Sequence, residues 1–311
     1  PDNVQRLLTS LLKLQQPQPK DEPQFEILVV DNAPSNDRTQ ALIQTLPMVN
    51  YTREPKPGLD FARNRALHTA TGELLAFLDD DVVVDRRWLL GLKAAWSENP
   101  DAGGFTGLVL PYELETDAQI IFERRGGFRR GFDKIRYHGS TQVGNPLYPC
   151  GAGIFGAGCN MTFRRDALLE IGGFDDALDT GAPLPGGGDL DIFYRIVRAG
   201  YPLIYEPQYL IYHQHRREID KLQRQYWSWG AGFMAFIVKS FHHDRSQRKK
   251  LILMILWWFQ YQAKQFWDGY LGSRILPPRM VLAELWGGLQ GLCGEYGPSQ
   301  RRIDAIRRQY S

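Results

Sequence analysis

Three consecutive carboxylates, Asp79, Asp80 and Asp81, stand between the apolar run 74–78 and the three valines at 82–84. A short apolar run that ends in polar residues predicts a buried strand, and open α/β sheets bind ligands beyond the carboxyl ends of their strands. Because neighbouring carboxylates repel one another, such a cluster is favourable only when a cation or many hydrogen-bond donors compensate. Oxygen ligands prefer Mg²⁺ or Mn²⁺ to zinc or copper. The triplet therefore predicts a metal-bound diphosphate, with a solvated acidic turn as the alternative.

The length and charge of the chain limit its class. With 311 residues and 43% hydrophobic content, it can form one sizeable core, or one domain with an appendage of about 100 residues. From His213 onward it carries 16 Lys and Arg against 7 Asp and Glu. This basic part suits a negatively charged surface such as a membrane, and a solvated helical face explains it equally well. Three cysteines without a CxxC pair predict a reducing, cytoplasmic compartment and no structural zinc.

Helical and strand patterns alternate through the first part of the chain. Apolar residues at helical spacing predict a helix over 4–14, which the proline-containing stretch 17–23 ends. The run 25–30 predicts a strand, and a polar turn then leads into a helix from about Arg38. The same alternation continues in the runs 49–52, 58–70 and 73–78. This order predicts an α/β fold with a parallel sheet and helical crossovers.

Four segments resemble the successive motifs of family 2 glycosyltransferases with the GT-A fold, in the same order, over roughly residues 25–229. They read FEILVVDNAPSNDRT, KPGLDFARNRALHTATGELLAFLDDDVVV, GAGCNMTFRRDALLEIGGFDDAL and GGGDLDIFYRIVRAGYPLIYEPQYLIYH. The resemblance implies a Rossmann-like, mostly parallel sheet flanked by helices. It also implies an inverting hexosyltransferase that moves a sugar from a UDP-, GDP- or dTDP-linked donor to an acceptor hydroxyl, in polysaccharide, glycolipid or other cell-envelope glycan synthesis.

The resemblance assigns the donor side of the site. Asp31 and Asn32, after the first strand, would hold the nucleotide base, although such residues are also good turn formers. Arg63 would lie near the diphosphate, where a guanidinium suits phosphate oxygens. Asn160, in the third motif, would bond sugar hydroxyls.

The same resemblance assigns a Mn²⁺ or Mg²⁺ site. Asp81 would be a direct ligand, with Asp79 as a second ligand or nearer the sugar, and Asp80 would help to hold either partner. His213, which follows a strand over 209–212, would be the third ligand. His215 is its competitor, since a histidine is often only a hydrogen-bonded structural residue.

A base must remove the proton from the attacking acceptor hydroxyl, and a carboxylate serves this purpose. The resemblance makes Asp189 that base, and helix N-capping is the alternative. Asp191 and Arg195 would orient the acceptor or serve the scaffold. Many family members carry Glu-Asp where this chain has Gly188 and Asp189, which bears on acceptor recognition.

We expect a catalytic domain over 1–215 and a helical extension over 216–311. The extension holds an aromatic segment at 226–236, a basic one at 245–250 and an apolar one at 251–259. Nine apolar residues cannot span a bilayer. They predict either an interfacial helix at the inner face of the plasma membrane, which fits a lipid-linked acceptor, or a helix pair packed on the catalytic domain. A final helix over 280–292 and a frayed tail from Pro298 are predicted.

One family element is missing, since the first strand that normally precedes the opening helix is not present in the sequence. The chain is therefore interpreted as a fragment whose sheet has an unpaired edge.

Rival functions make different demands on the residues. A haloacid dehalogenase-type phosphatase would use an Asp nucleophile and would leave the Asp31 and Arg63 motifs without a role. A non-catalytic carbohydrate-binding protein would not need Asp189. The arginine-rich segment 123–137 could suggest nucleic acid, but it suits an acceptor or a solvated loop better, so no nucleic-acid partner is predicted.

Overall fold

The computed structural model describes residues 2–15, 25–179, 184–271 and 276–310. Its strands β1 to β8 are Ile27–Asn32, Val49–Glu54, Leu74–Leu78, Val82–Val84, Gly104–Pro111, Ile135–Tyr137, Asn160–Arg164 and Leu203–His213. Its helices α1 to α11 are Asp2–Leu12, Arg38–Gln44, Leu59–Thr69, Trp88–Glu98, Asp117–Arg124, Arg165–Glu170, Gly188–Arg198, Ile219–His243, Arg248–Tyr270, Pro278–Gln290 and Tyr296–Gln309. The predicted helices and strands of the first part are confirmed, while the stretch 17–23 lies outside the described residues.

The strands form two sheets. β1 pairs in parallel with β2, and the larger sheet has the order β3-β7-β5-β8-β4, with β6 also on β8. In the larger sheet β5 and β8 are parallel, whereas β7, β4 and β6 run antiparallel to their neighbours. The α/β fold class is confirmed. The parallel pairs are β1 with β2 and β5 with β8, whereas β4 follows β3 after three residues and turns back along β8 instead of crossing over.

A groove separates the two sheets. It has a volume of about 650 Å³ and is bordered by β1, α3, β3 and α4. Within the described part of the chain, β1 pairs only with β2 and β3 only with β7. Among the described residues, β1 and β3 therefore each have one edge without a strand partner. That a further strand belongs here stays a prediction.

The main core is shared between the sheet and the C-terminal helices. Phe163 of β7 and Phe193 of α7 are fully buried in one cluster with Phe236 of α8 and Leu251 and Met254 of α9. The packed-helix alternative for the C-terminal part is therefore confirmed for one face of α8 and α9. The division at residue 215 stays a prediction, but the two parts share their largest core.

The end of the chain is more ordered than the sequence predicts. α10 leads through the π-helical turn Gly291–Glu295 into α11. Ile303 and Ile306 of α11 pack against Ala177 and Leu178. The expected frayed tail from Pro298 is wrong, because its apolar residues at helical spacing find a partner surface. Over the parts of the chain that the structure describes, no helix is long and apolar enough to cross a bilayer.

Candidate active site

The acidic triplet forms the turn between β3 and β4. Asp80 is exposed, whereas Asp79 is half-buried and Asp81 is buried. The Oδ1 atom of Asp81 is buried and has no hydrogen-bond partner within the described residues. Burial, followed by repulsion from Asp79, raises the pKa of Asp81 to about 6. An unpartnered buried carboxylate oxygen is costly, and a cation placed beside it would remove that cost.

His213 completes a group of three potential ligands. It ends β8, where it lies opposite Val82 of β4, and its Nε2 is 3.3 Å from Asp81 Oδ1. Asp79, Asp81 and His213 each offer one ligand atom, and these atoms lie within 4.8 Å of one another. Burial, with repulsion from His215 and Arg216, lowers the pKa of His213 to about 3, so the ring is neutral and has a lone pair to give. Two carboxylates and one neutral imidazole fit Mn²⁺ or Mg²⁺.

His215 lies behind His213. The Nδ1 atoms of the two histidines are 3.0 Å apart, and Nε2 of His215 is 2.9 Å from Oε1 of Glu123. The ring of Phe128 packs edge-on against His213, with ring centroids 5.1 Å apart. His215 is therefore a partner of His213 and does not compete with it. Glu123 and Phe128, at the start of the segment 123–137, therefore contact the two histidines.

Asp189 lies in the first turn of α7. The residue before the helix is Gly187, with φ 106°, so the N-cap alternative for Asp189 is wrong. Its Oδ2 accepts a hydrogen bond from the backbone N–H of Gly158 at 3.2 Å, and its Oδ1 accepts one from Leu190 at 2.8 Å. Its charge contributes to the raised pKa of Asp79 after the larger effect of burial. The carboxylate is thus held by two backbone donors close to the acidic turn.

Arg63 is buried among carboxylates. Its Nη1 donates to Asp60 Oδ1 at 2.8 Å and to Asp179 Oδ2 at 3.1 Å. Burial is the first cause of a raised pKa in both acids, and the pKa of Asp179 reaches about 6. Since Nη1 is occupied, only the other end of the guanidinium, whose Nη2 lies near Gly158 and Asp189, remains close to the site.

The carboxylates of Asp60 and Asp179 explain why residue 188 is glycine. A β-carbon on Gly188 would overlap Asp60 Oδ2 and lie 2.6 Å from Asp179 Oδ2. There is no room for the glutamate found in many family members. Sequence analysis missed both acids. The spacing of Asp60 and Arg63, three residues apart on one helix, is the signal that could have indicated their pairing.

The expected sugar contact of Asn160 is wrong. Its side chain is fully buried, its Oδ1 accepts from Trp88 Nε1 at 3.1 Å, and its Nδ2 donates to the carbonyl of Tyr209 at 2.8 Å. Asn32 likewise bonds backbone, donating to the carbonyl of Lys56 and accepting from Gly58 N–H. These bonds tie the end of β1 to the loop before α3, and the turn-forming alternative stays a prediction. The base contact of Asp31 and Asn32 stays a prediction; Asp31 accepts from Tyr51 Oη at 3.0 Å.

Asp191 and Arg195 serve the scaffold. Asp191 is buried and pairs with Arg195 at 2.7 Å and with Lys239 of α8 at 2.6 Å. Arg195 also donates to the carbonyls of Ile171 and Gly173. Their acceptor-side assignment is wrong because, apart from the pair within α7, these contacts tie α7 to its neighbours. Their structural alternative is confirmed.

A mixed sheet with a group of potential cation ligands at its strand ends and a held carboxylate beside it is typical of an α/β enzyme site of the GT-A type. Residues 1–172 match the family model described as glycosyl transferase family 2, so the chain belongs to that family.

Relatives and a solved structure agree with this assignment. A glucosyl-dolichyl phosphate glucuronosyltransferase of Haloferax volcanii is 27% identical over 218 residues, which are 66% of this chain and 65% of that protein. A pre-mycofactocin glycosyltransferase of Mycobacterium tuberculosis is 27% identical over 165 residues, 51% of this chain and 30% of that one. The chain thus spans less than two thirds of either relative. A mannosyltransferase of Pyrobaculum calidifontis, solved with GDP-Man and Mn²⁺, shares the fold with a TM-score of 0.59 and 15% identity over 94% of this chain and 83% of that one.

Proposed function

We propose that this protein transfers a sugar, with inversion, from a UDP-, GDP- or dTDP-linked donor to an acceptor hydroxyl in cell-envelope glycan synthesis. The observation that supports the proposal most directly is the convergence of Asp79, Asp81 and His213 beside the held carboxylate of Asp189. The family assignment leaves the phosphatase and the carbohydrate-binding alternatives without support.

Each part of the site has a role in this reaction. Asp79, Asp81 and His213 would hold Mn²⁺ or Mg²⁺, which when bound neutralises charge that develops on the departing diphosphate. Asp189 accepts the proton of the attacking hydroxyl, and the N–H groups of Gly158 and Leu190 keep its carboxylate oriented.

The remaining donor contacts come from the rim of the site. Asp31 and Asn32 at the end of β1 would contact the base, and the exposed Asp80 would help to hold the metal or the sugar nucleotide. Arg63 would approach the diphosphate with Nη2, because Asp60 and Asp179 occupy its Nη1.

Substitution of the base separates chemistry from binding. Asp189→Asn should lower the rate of sugar transfer by about 10²- to 10⁴-fold, measured as acceptor-dependent release of nucleoside diphosphate. The stabilisation of the protein by the cognate nucleotide with Mn²⁺ should persist in thermal-shift assays. Asp304→Asn, on the exposed side of α11, is the control. Full activity of Asp189→Asn would refute the assigned base. Detection of a phosphoenzyme would instead support the phosphatase alternative.

We also propose that one face of α9 and α10 contacts a membrane. Large apolar side chains are exposed along both helices and directly after α9, namely Ile252, Leu253, Leu256, Trp257, Trp267, Tyr270, Leu271, Leu282, Trp286 and Leu289. The exposed charged residues on these two helices are Lys249, Lys264 and Arg279, while the acidic Asp268 is half-buried. Aromatic and aliphatic groups with only basic charges are typical of interfacial helices on anionic lipid. A lipid-linked acceptor would then meet the site at the bilayer surface.

Vesicle sedimentation tests this contact. Wild type should bind phosphatidylglycerol vesicles better than phosphatidylcholine vesicles. Trp257→Glu with Trp286→Glu should weaken binding by about tenfold or more, because two apolar anchors are lost. Met48→Glu is the matched control, since Met48 is also an exposed apolar residue but lies before β2. Equal binding of all three proteins, or none, would refute the contact.

A further inference from the structure

The candidate metal ligand His213 is the end of a buried row of three polar side chains. Its Nδ1 is 3.0 Å from Nδ1 of His215, and Nε2 of His215 is 2.9 Å from Oε1 of Glu123. The side chains of His213, His215 and Glu123 are 7%, 2% and 11% exposed. Hydrogen bonds this well shielded from water fix geometry strongly.

The proton positions along this row are determined from the metal end. If Nε2 of His213 gives its lone pair to a cation, its single N–H must be at Nδ1. Nδ1 of His215 must then accept that proton's hydrogen bond, so His215 carries its own N–H at Nε2. A carboxylate can only accept, and Glu123 stands at that position. Every donor in the row therefore meets an acceptor in the one arrangement that leaves His213 free to ligate.

Surrounding contacts hold both ends of the row. Arg129 pairs with the second oxygen of Glu123 at 3.3 Å, which orients the carboxylate. The rings of Phe122 and Phe128 pack against His215 with centroids 4.6 and 5.9 Å away. Gly127 has φ 56°, and a β-carbon there would overlap Glu123 Oε1. The start of the arginine-rich segment is thus built around this carboxylate.

We propose that His215 and Glu123 are positioning residues that set the tautomer and ring orientation of His213 for metal binding. The inference rests on the proposed metal site and assigns two residues that the family motifs do not. Such partners of a metal-bound histidine are worth about 10- to 100-fold in metal affinity.

Mn²⁺ titration followed by electron paramagnetic resonance of the free ion tests the proposal, with UDP or GDP present. His215→Ala should weaken Mn²⁺ binding by about 10- to 100-fold, and Glu123→Ala should weaken it in the same direction. His68→Ala, which removes an exposed histidine on α3, is the control and should leave Mn²⁺ binding unchanged. Circular dichroism melts show whether each variant is folded.

A double-mutant cycle separates positioning from a general loss of structure. If His215 acts through His213, removing it from a His213→Ala protein should cause no further loss of Mn²⁺ affinity. Unchanged affinity in folded His215→Ala, or additive losses in the cycle, would overturn the proposal while leaving the metal site intact. Absence of Mn²⁺ binding by wild type would instead overturn the metal site, and the positioning role with it.

Discussion

Arg63 compensates only part of the negative charge around it. Asp60 and Asp179 contact its Nη1, while the charges of Asp79 and Asp189 also act on it. Burial raises the pKa of Asp60, Asp79 and Asp179 because a dry surrounding disfavours the ionised form. The site is therefore strained electrostatically at neutral pH, and a bound cation would relieve that strain.

This arrangement predicts how stability depends on pH without metal. The pKa of Asp179 is about 6 in the folded protein against an ordinary 3.8, so the folded state binds the proton more tightly. Its contribution to the free energy of unfolding is present below about pH 4 and is lost as pH rises through 6. The Tm of Asp179→Asn should therefore fall less than that of wild type between pH 4 and 7. Asp304→Asn should follow wild type, and parallel curves for Asp179→Asn would contradict the prediction.

Residues that follow strand ends could be predicted from the sequence, and their partners could not. Asp79 and Asp81 follow an apolar run, which predicts them at the edge of the sheet, and the family resemblance adds His213 at the end of its strand. The relative burial of Asp79 and Asp80 depends on how the turn to β4 is wound. Asp179 and Glu123 meet Arg63 and His215 across 116 and 92 residues of chain, and no local pattern reports such contacts.

At the scale of elements, α7 owes its position to close backbone packing with α8. Gly187 and Gly186 lie directly against Gly232 of α8, where a β-carbon would be 2.5 Å from the Gly186 carbonyl carbon and 2.8 Å from the Gly187 nitrogen. Lys239 of α8 adds an ion pair to Asp191. The start of α7, and Asp189 with it, is therefore set by a helix of the C-terminal part.

Gly232→Ala should test this dependence. The added methyl group must push the 186–187 segment away from α8, because all of the atoms it meets are backbone. We expect sugar transfer to fall by about 10- to 100-fold, as for other small displacements of a reacting group, while Mn²⁺ affinity changes little. Gly297→Ala is the matched control, since its nearest neighbour would be Arg301 at 3.9 Å. Equal activity of the two variants would show that α8 does not position the base.

The helices were more predictable than the strand directions. Helical spacing and flanking turn residues predicted α1 to α3 and α7, because these signals are local. The antiparallel course of β4, β6 and β7 depends on tertiary pairing with β8, β5 and β3. The charged sequence from Pro298 predicts a frayed tail, and only the surface formed by Ala177 and Leu178 gives the apolar side chains of α11 a partner.

At the scale of the whole molecule, the C-terminal helices complete the catalytic part. Phe236 packs against Tyr194 with ring centroids 5.5 Å apart, and Leu251 and Met254 enter the same core. Removing them would expose the buried side of α7 to water. An apolar surface of that kind favours aggregation over an independently folded domain.

A chain ending at residue 215 should therefore fail to fold, even though it contains every proposed metal ligand and the base. We expect it to lack a cooperative melting transition, whereas the full chain should show one transition in scanning calorimetry. A chain lacking only residues 310 and 311 is the control and should melt like the full protein. A soluble, cooperatively melting 1–215 chain that binds nucleotide would establish the sequence-based division instead.

The groove between β1 and β3 leaves the β1–β2 ribbon less firmly joined to the larger sheet. The β1–β2 ribbon carries Asp31 and Asn32, while β3 leads to the acidic turn, and no strand hydrogen bonds join the two within the described residues. Local opening costs least where ladders are incomplete. Amide protons on these facing edges should exchange with deuterated water sooner than those of β5 and β8, so the side of the groove that carries Asp31 and Asn32 should open more readily than the central strands.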